Sequence, residues 1–172
     1  MINLKPLEKN NVTFFYKWIN DKEVIKFSLS LFHKINSKHE IDKWFLKLIN
    51  NKNNLQLGIY LKSDNTFIGY AGICDISKTN KSGEYFIFIG DKEYWGKGIS
   101  TQVTKEILRI GFNEMRLNRI MLTVYKQNIG GLKSYKKAGF IEEGILRDAS
   151  YRNNKYHDKI VMSVLKPEWK EK

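Results

Sequence analysis

A short glycine-containing segment, residues 96–101, has the composition of a loop that binds phosphate through its backbone. Its residues are Gly96, Lys97, Gly98, Ile99, Ser100 and Thr101. Glycine lets the backbone approach a ligand closely and adopt dihedral angles that other residues avoid. The segment precedes an apolar pattern with helical spacing, and the first N–H groups of a helix lack internal partners. We therefore expect these amides to hold phosphate oxygens, with charge added by Lys97 and with Ser100 or Thr101 capping the helix.

A second pattern lies downstream, in residues 128–140. It places Asn128, Tyr135 and the pair Gly139 and Phe140 at separations of seven and then four residues. The glycine segment alone is weak evidence, because many turns before helices bind nothing and because its spacing fits neither the Walker motif nor the dinucleotide motif. The two patterns in one chain are far more specific than either alone.

Together, the two segments resemble the GNAT family of acetyl-coenzyme A dependent N-acetyltransferases. Residues 95–100 are similar to the family's pyrophosphate signature, although Trp95 stands for arginine or glutamine and Ser100 for the small last residue. Residues 128–140 are similar to the family's Asn, Ala, Tyr, Gly-Phe pattern, with Gly131 in place of alanine. The resemblance implies acetyl-CoA as co-substrate, a small-molecule amine as acceptor and no metal.

Acetyl transfer to an amine calls for a base and an acid. A primary amine with a pKa of roughly 10 must lose a proton before it attacks, and a thiolate with a pKa of roughly 8.5 leaves more easily once it is protonated. The resemblance implies Tyr135 as the acid and Glu84, at the start of a strand, as the base. Two alternatives stay open: Tyr135 as a packing residue, and Glu84 as a carboxylate that binds a cationic acceptor without taking its proton.

The resemblance also implies a channel for the pantetheine arm of the cofactor. In this fold the strand ending at Ile89 and the strand at residues 119–125 run parallel but splay apart, and the arm lies between them. The expected backbone contacts are Phe88, Ile89 and Gly90. Asn128 either caps the following helix or bonds to the pantetheine.

Periodicity predicts the elements that must position these residues. Apolar residues recur with helical spacing in segments 10–19, 38–49, 99–115 and 131–138. Strand-like runs occupy residues 2–7, 55–61, 66–76, 85–89, 119–125, 140–146 and 155–165. The irregular residues 23–37 are implied to line the acceptor side. This order is that of the α+β GNAT fold, with a mostly antiparallel sheet of six to seven strands, about four helices and a single domain over residues 1–172.

Composition limits the partners and the cellular location. The net charge is +12, from 30 basic and 18 acidic residues, which favours an anionic partner such as coenzyme A. The basic residues are spread along the chain, so we do not expect a nucleic-acid partner. Neither a membrane-spanning run nor a signal-peptide pattern is present, which predicts a cytoplasmic protein. The one cysteine, Cys74, excludes an intramolecular disulfide and is expected to be a small buried hydrophobe.

The acceptor is left open among three amines. Residues 18–21 are similar to enzymes that acetylate nucleotide-linked amino sugars, and a basic protein would favour such an anionic carrier. A polyamine would need an acidic pocket, for which the sequence offers only the scattered carboxylates Glu84, Asp75 and Asp21. A protein amino terminus is the third candidate. Residues 144–158 resemble the closing hairpin of the ribosomal-protein and polyamine branches, which identifies no substrate.

Two other functions are compatible with the sequence. The chain could be a basic module without activity that binds nucleic acid or ribosomes, or a regulator that binds coenzyme A without transferring the acetyl group. The first predicts binding that weakens steeply with salt. Members of the family that this chain resembles are often homodimers, and the sequence itself does not distinguish a dimer interface from a core edge.

Overall fold

Seven strands form one sheet in the computed structural model, which describes residues 1–170. The strands are β1 (Ile2–Pro6), β2 (Leu55–Leu61), β3 (Phe67–Ser77), β4 (Ser82–Ile89), β5 (Arg119–Tyr125), β6 (Ile141–Arg152) and β7 (Lys155–Leu165). Their order is β1-β2-β3-β4-β5-β7-β6, and every neighbouring pair is antiparallel except β4 and β5. The predicted α+β class and the mostly antiparallel sheet are confirmed.

Four α-helices accompany the sheet within the described residues. They are α1 (Val12–Trp18), α2 (Lys38–Asn50), α3 (Ile99–Arg109) and α4 (Ile129–Ala138). The continuous helix predicted over residues 99–115 is wrong beyond Arg109, because the chain widens there into a π-helical turn. Gly111 lies in that turn, where a Cβ atom would come within 2.5 Å of the Ile120 side chain. No helix in residues 1–170 is both long enough and apolar enough to cross a membrane.

The two faces of the sheet carry different cores. One face packs aliphatic side chains against α3, among them Ile59, Val103 and Ile107. The other packs aromatic rings against α1 and α2, among them Tyr60 and Phe15. Successive strand residues point to opposite faces, so the neighbours Ile59 and Tyr60 of β2 belong to different cores.

The parallel pair separates soon after it forms. Ladder partners between β4 and β5 are Ser82 with Arg119, Gly83 with Ile120, and Glu84 with Met121. The ladder stops there, although β4 continues to Ile89. The second half of β4 therefore has no partner strand on its β5 side, and the predicted splayed pair is confirmed.

The closing hairpin is longer than the sequence indicated. The strand predicted to end at Leu146 continues to Arg152. Two register shifts between β6 and β7, with Asp148 in a left-handed conformation, let β6 continue past its polar residues. The hairpin tip consequently reaches the region between α1 and α2.

Candidate active site

The gap between β4 and β5 opens into a cavity of about 480 Å³. Its walls come from the divergent halves of these strands, the start of α4 and the segment between α1 and α2. Of the residues predicted for the site, Glu84, Phe88, Asn128 and Tyr135 line this cavity. The structure therefore brings the predicted base and the predicted acid to one cavity.

The glycine loop enters α3 in a conformation that requires glycine. Gly96 and Gly98 have φ angles of +72° and +79°, in the left-handed region. No atom lies within 4 Å of the Cβ position of either residue, so the constraint is conformational rather than a matter of space. Gly98 is itself the N-cap, and the expected capping by Ser100 or Thr101 is wrong.

Hydroxyl groups at the start of α3 join it to α4. Ser134 Oγ donates to Ser100 Oγ at 3.0 Å and lies 3.0 Å from Thr101 Oγ1. These side chains are therefore engaged with α4 rather than with the first amides of α3. The bond from Ser134 accommodates Ser100 at the position where the family signature has glycine or alanine. The first backbone amides of α3 have no hydrogen-bond partner inside the helix.

The end of β4 is closed by tryptophan side chains. Trp95 Nε1 donates to the Ile89 carbonyl at 3.0 Å, so the tryptophan that departs from the family signature fixes the loop to β4. The Gly90 N–H donates to the Ile68 carbonyl at 3.0 Å. A Cβ atom on Gly90 would lie 1.9 Å from the Trp18 ring. Two of the backbone groups expected to contact pantetheine are thus already bonded within the protein.

The predicted cap at the start of α4 is present. Asn128 Oδ1 accepts the Gly131 N–H at 3.0 Å. A Cβ atom on Gly131 would come within 2.8 Å of the Asn128 amide, so glycine lets this side chain fold closely over the helix. Asn128 also lines the cavity, and a bond from it to pantetheine stays a prediction.

Tyr135 packs against two other aromatic rings. Its ring centroid lies 6.0 Å from that of Tyr85 and 6.0 Å from that of Phe140. Gly139 ends α4 with φ +110°, which turns the chain so that Phe140 is buried beneath the helix. Burial raises the pKa of Tyr135 to about 12, so the phenol keeps its proton at neutral pH.

Glu84 stands where the ladder ends. Burial, then the nearby charge of Asp75, raises the pKa of the Glu84 carboxyl above its usual range, while the charge of Lys159 and the backbone N–H of Thr123 oppose that shift. A carboxylate with a raised pKa is a better base at neutral pH than an ordinary glutamate. The position and the pKa direction of Glu84 both suit proton transfer.

An acidic pair forms where the sequence suggested scattered carboxylates. The acidic oxygens of Asp75 and Glu84 and the Cys74 sulfur lie within 4.8 Å of one another. Asp75 is left-handed, with φ +49°, at a register shift between β3 and β4. Asp21 does not join them, because it bonds to Lys92 at 2.8 Å.

Cys74 is only partly buried, which corrects the expectation of a buried side chain. Burial, followed by the charges of Asp75 and Glu84, raises the pKa of the Cys74 thiol to about 12. A thiol that keeps its proton is a poor nucleophile. The structure gives this cysteine no feature of an acyl carrier.

Sequence analysis missed several residues that line the cavity. Lys159 and Tyr125 face it from β7 and β5, with Lys159 Nζ 5.1 Å from the Tyr125 ring centroid. It also missed the buried hydrogen bond between the Tyr85 hydroxyl and Thr104 Oγ1, 2.8 Å long, which joins β4 to α3. Lys159, which directly precedes the apolar end of β7, was the one feature of the sequence that could have pointed to these residues.

The sequence matches a known protein family over most of its length. The family model described as an acetyltransferase (GNAT) domain matches residues 2–141. This chain belongs to the GNAT acetyltransferase family. The predicted family, and with it the assignment to a family of N-acetyltransferases, is confirmed.

Among its GNAT relatives is a Bacillus subtilis protein named "Probable N-acetyltransferase YjcK", which is 32% identical over 111 residues. That match covers 64% of this chain and 61% of the relative, so the chain spans about three fifths of its length. Spermidine N(1)-acetyltransferase of Escherichia coli K12 is 24% identical over 168 residues, which cover 98% of this chain and 88% of the relative.

A solved structure also has this GNAT fold. It is spermidine N-acetyltransferase from Vibrio cholerae in complex with CoA and spermine. The TM-score is 0.86 at 23% identity, with 97% of this chain and 96% of the other covered. At that identity the likeness supports the fold alone.

Proposed function

We propose that this GNAT protein transfers the acetyl group of acetyl-CoA to a primary amine in the gap between β4 and β5. The observation that carries the proposal is the ladder that stops at Glu84 and opens a cavity lined by both Glu84 and Tyr135. A base and an acid on one cavity match the two proton transfers that aminolysis of a thioester requires.

The glycine loop, which is not part of the cavity lining, and the second half of β4 would hold the co-substrate. The amides of residues 96–101 suit the pyrophosphate, since glycine angles expose them at the positive end of α3. The half of β4 without a partner strand, around Phe88, offers backbone groups for the pantetheine arm. The Ile89 carbonyl and the Gly90 N–H are engaged elsewhere, so we assign no contact to those two groups.

The chemical step needs only these side chains. Glu84 takes a proton from the ammonium of the acceptor, and the neutral amine then attacks the thioester carbonyl. As the carbon–sulfur bond breaks, Tyr135 donates its proton to the departing sulfur. The second proton, which the nitrogen loses as the amide forms, returns to the Tyr135 oxygen, and Glu84 releases the first proton to solvent. The raised pKa of Cys74 supports direct attack within a ternary complex over an acyl-cysteine intermediate.

A polyamine is the acceptor that this site supports best. Asp75 and Glu84 give the cavity two neighbouring carboxylates against the single cation of Lys159. Among the relatives that match nearly the whole chain are proteins named spermidine N(1)-acetyltransferase. The amino-sugar proposal loses support because Trp18 is buried and Asp21 is paired with Lys92.

An assay of thiol release tests this function. The purified protein is incubated with acetyl-CoA and spermidine, and free CoA and acetylated spermidine are measured. We expect product to depend on both substrates and to fall at least about 100-fold in Glu84→Gln, the lower end of a general-base contribution. Product at the wild-type rate in Glu84→Gln would refute the assigned base.

The same preparation separates the rival functions. A regulator would bind acetyl-CoA in calorimetry but release no thiol with spermidine, an amino sugar or a peptide. A nucleic-acid module would bind no acetyl-CoA and would bind RNA or DNA with a steep salt dependence. Either result would contradict the proposed transfer.

The assembly and location of the protein stay predictions. Strand β6 is an edge strand that exposes Ile141 and Ile145, and we propose it as the surface of the expected homodimer. Analytical ultracentrifugation of the wild type and of Ile145→Lys would detect such a dimer and its loss. A cytoplasmic location awaits fractionation of cells that produce the protein.

A further inference from the structure

The segment between α1 and α2, which contains a 3-10 helix at Ser30–His33, forms one wall of the cavity. Phe27, Ser28 and Leu29 line the cavity from this wall, in residues without helix or strand assignment. Outside helices and sheets, backbone carbonyls bond to turn amides, side chains or water. Turn amides here bond to the carbonyls of Glu23, Ile25 and Leu29. The shape of this wall therefore depends also on the side chains that bond to its other carbonyls.

One arginine bonds to two of these carbonyls. Arg152 Nη1 donates to the Lys26 carbonyl at 2.7 Å, and Arg152 Nη2 donates to the Ser28 carbonyl at 3.0 Å. Nη2 also donates to Ser30 Oγ at 3.3 Å. Arg152 is the last residue of β6, more than 120 residues away in sequence. A single guanidinium thus joins the tip of the closing hairpin to the acceptor wall.

The arginine is itself fixed on its own side. Its guanidinium carbon lies 5.0 Å from the ring centroid of Tyr125, a cavity-lining residue, in a cation–π arrangement. The Tyr125 hydroxyl bonds to Ser150 Oγ at 2.6 Å. His157 Nε2 lies 3.1 Å from the Arg152 carbonyl. The Tyr125 ring, the His157 contact with the Arg152 carbonyl and the hydrogen bonds of the guanidinium together hold Arg152 against this wall.

We propose that Arg152 is a positioning residue that sets the shape of the acceptor side of the cavity. It contacts no reacting group; it holds Phe27, Ser28 and Leu29 where an amine chain would lie. The planar guanidinium suits this task because it bonds to several acceptors at once, whereas a lysine would make a single point contact. The inference rests on the proposed transfer to an amine and adds a determinant of acceptor affinity.

Kinetics of Arg152→Ala with spermidine and acetyl-CoA test the role. Hydrogen bonds to charged groups are stronger than those between neutral groups, so loss of the set should raise the KM for spermidine at least about tenfold. The affinity for acetyl-CoA should stay within about twofold, because the contacts of Arg152 are with Lys26, Ser28, Ser30 and Tyr125 and not with the glycine loop. Arg147→Ala, an exposed arginine on the same strand, is the matched control and should leave both unchanged.

Arg152→Lys adds a conservative variant. We expect an intermediate KM for spermidine, since lysine can restore one of the bonds. An unchanged KM in Arg152→Ala would overturn the proposal. So would an equal loss of spermidine and acetyl-CoA affinity, which would mean that the variant disturbs the whole fold.

Hydrogen exchange provides a readout that needs no activity. Arg152→Ala should speed amide exchange in residues 24–33 and leave α3 as in the wild type, while Arg147→Ala changes neither. If the wild type acetylates no spermidine, the proposed acceptor fails while this measurement still tests the arginine. Equal exchange in Arg152→Ala and the wild type would refute the positioning role itself.

Discussion

The two faces of the sheet build the two halves of the candidate site in different ways. On the α3 side, backbone conformation makes the site: the left-handed glycines of the loop and the Asn128 cap set where amides point. On the α1 and α2 side, aromatic rings and long side chains make it. Phe15 alone packs against seven other rings, and Arg152 holds the irregular wall.

This difference explains what each half can recognise. Backbone amides bind phosphate whatever side chains surround them, so the co-substrate side can keep its function while Trp95 and Ser100 depart from the family signature. The acceptor side depends on individual side chains that are distant in sequence. A few substitutions there would change which amine fits.

The largest effect is expected for Phe15→Ala, in the centre of the aromatic core. Phe15 is fully buried, and truncation of such a ring costs about 3–5 kcal/mol of unfolding free energy. Its neighbours Phe32, Trp44 and Phe88 line the cavity, so the KM for spermidine should rise as well. Urea denaturation and initial rates measure the two effects.

The matched variant lies in the aliphatic core. Ile107→Ala should cost about 2–5 kcal/mol of stability, because Ile107 is equally buried, yet leave the KM for spermidine unchanged. If both variants change the KM for spermidine alike, the aromatic core does not shape the acceptor side more than the aliphatic core does.

The next effect is expected at the glycine loop. Gly98→Asp introduces a carboxylate where pyrophosphate should bind, at a residue with a left-handed backbone conformation. The variant should weaken acetyl-CoA binding at least about 100-fold, which corresponds to about 2.7 kcal/mol of binding free energy. Gly98→Ala carries the backbone strain without the charge and should lose only several-fold. Titration calorimetry compares them, and equal losses would argue against an anion at this position.

A smaller effect is expected for Tyr135→Phe. The variant keeps the ring contacts with Tyr85 and Phe140 but loses the proton donor. The kcat should fall about 100-fold, the lower range for general acid catalysis, with acetyl-CoA affinity unchanged. A kcat close to that of the wild type would assign Tyr135 to packing, the alternative that the sequence left open.

The smallest effect is a shift in pH dependence. Transfer requires ionised Glu84, so the rate should fall as pH drops through its pKa, and the raised pKa places that fall above the pH expected for an ordinary glutamate. Asp75→Asn removes a charge that raises this pKa and should move the fall to lower pH. Lys159→Met removes a charge that lowers it and should move the fall to higher pH. Shifts in the same direction would show that Glu84 is not the titrating group.

The sequence predicted the regular half of the molecule well. Strands β2 and β5 have the predicted bounds, and α3 begins at the predicted Ile99. Local patterns suffice there, because helical spacing, β-branched runs and glycine angles act over a few residues. The cap at Asn128 was expected from a pattern of the same short range, although α4 begins at Ile129, two residues before the predicted Gly131.

The acceptor half could not be predicted in the same way. Asp75 meets Glu84 only because a register shift with a left-handed Asp75 breaks the alternation of β3. The bonds from Arg152 to the acceptor wall span the whole fold, and the register between β5 and β7 brings Lys159 beside Tyr125. Such pairings depend on the strand order and on bulges, for which a single sequence carries little signal.

Hydrogen exchange of the wild type with each ligand tests the central claim most directly. We expect CoA alone to slow exchange in residues 96–101 and to leave residues 24–33 unchanged, and CoA with spermidine to slow exchange in residues 24–33 as well. That result would assign CoA to the glycine loop and spermidine to the wall between α1 and α2. Failure of CoA to protect residues 96–101 would contradict the account.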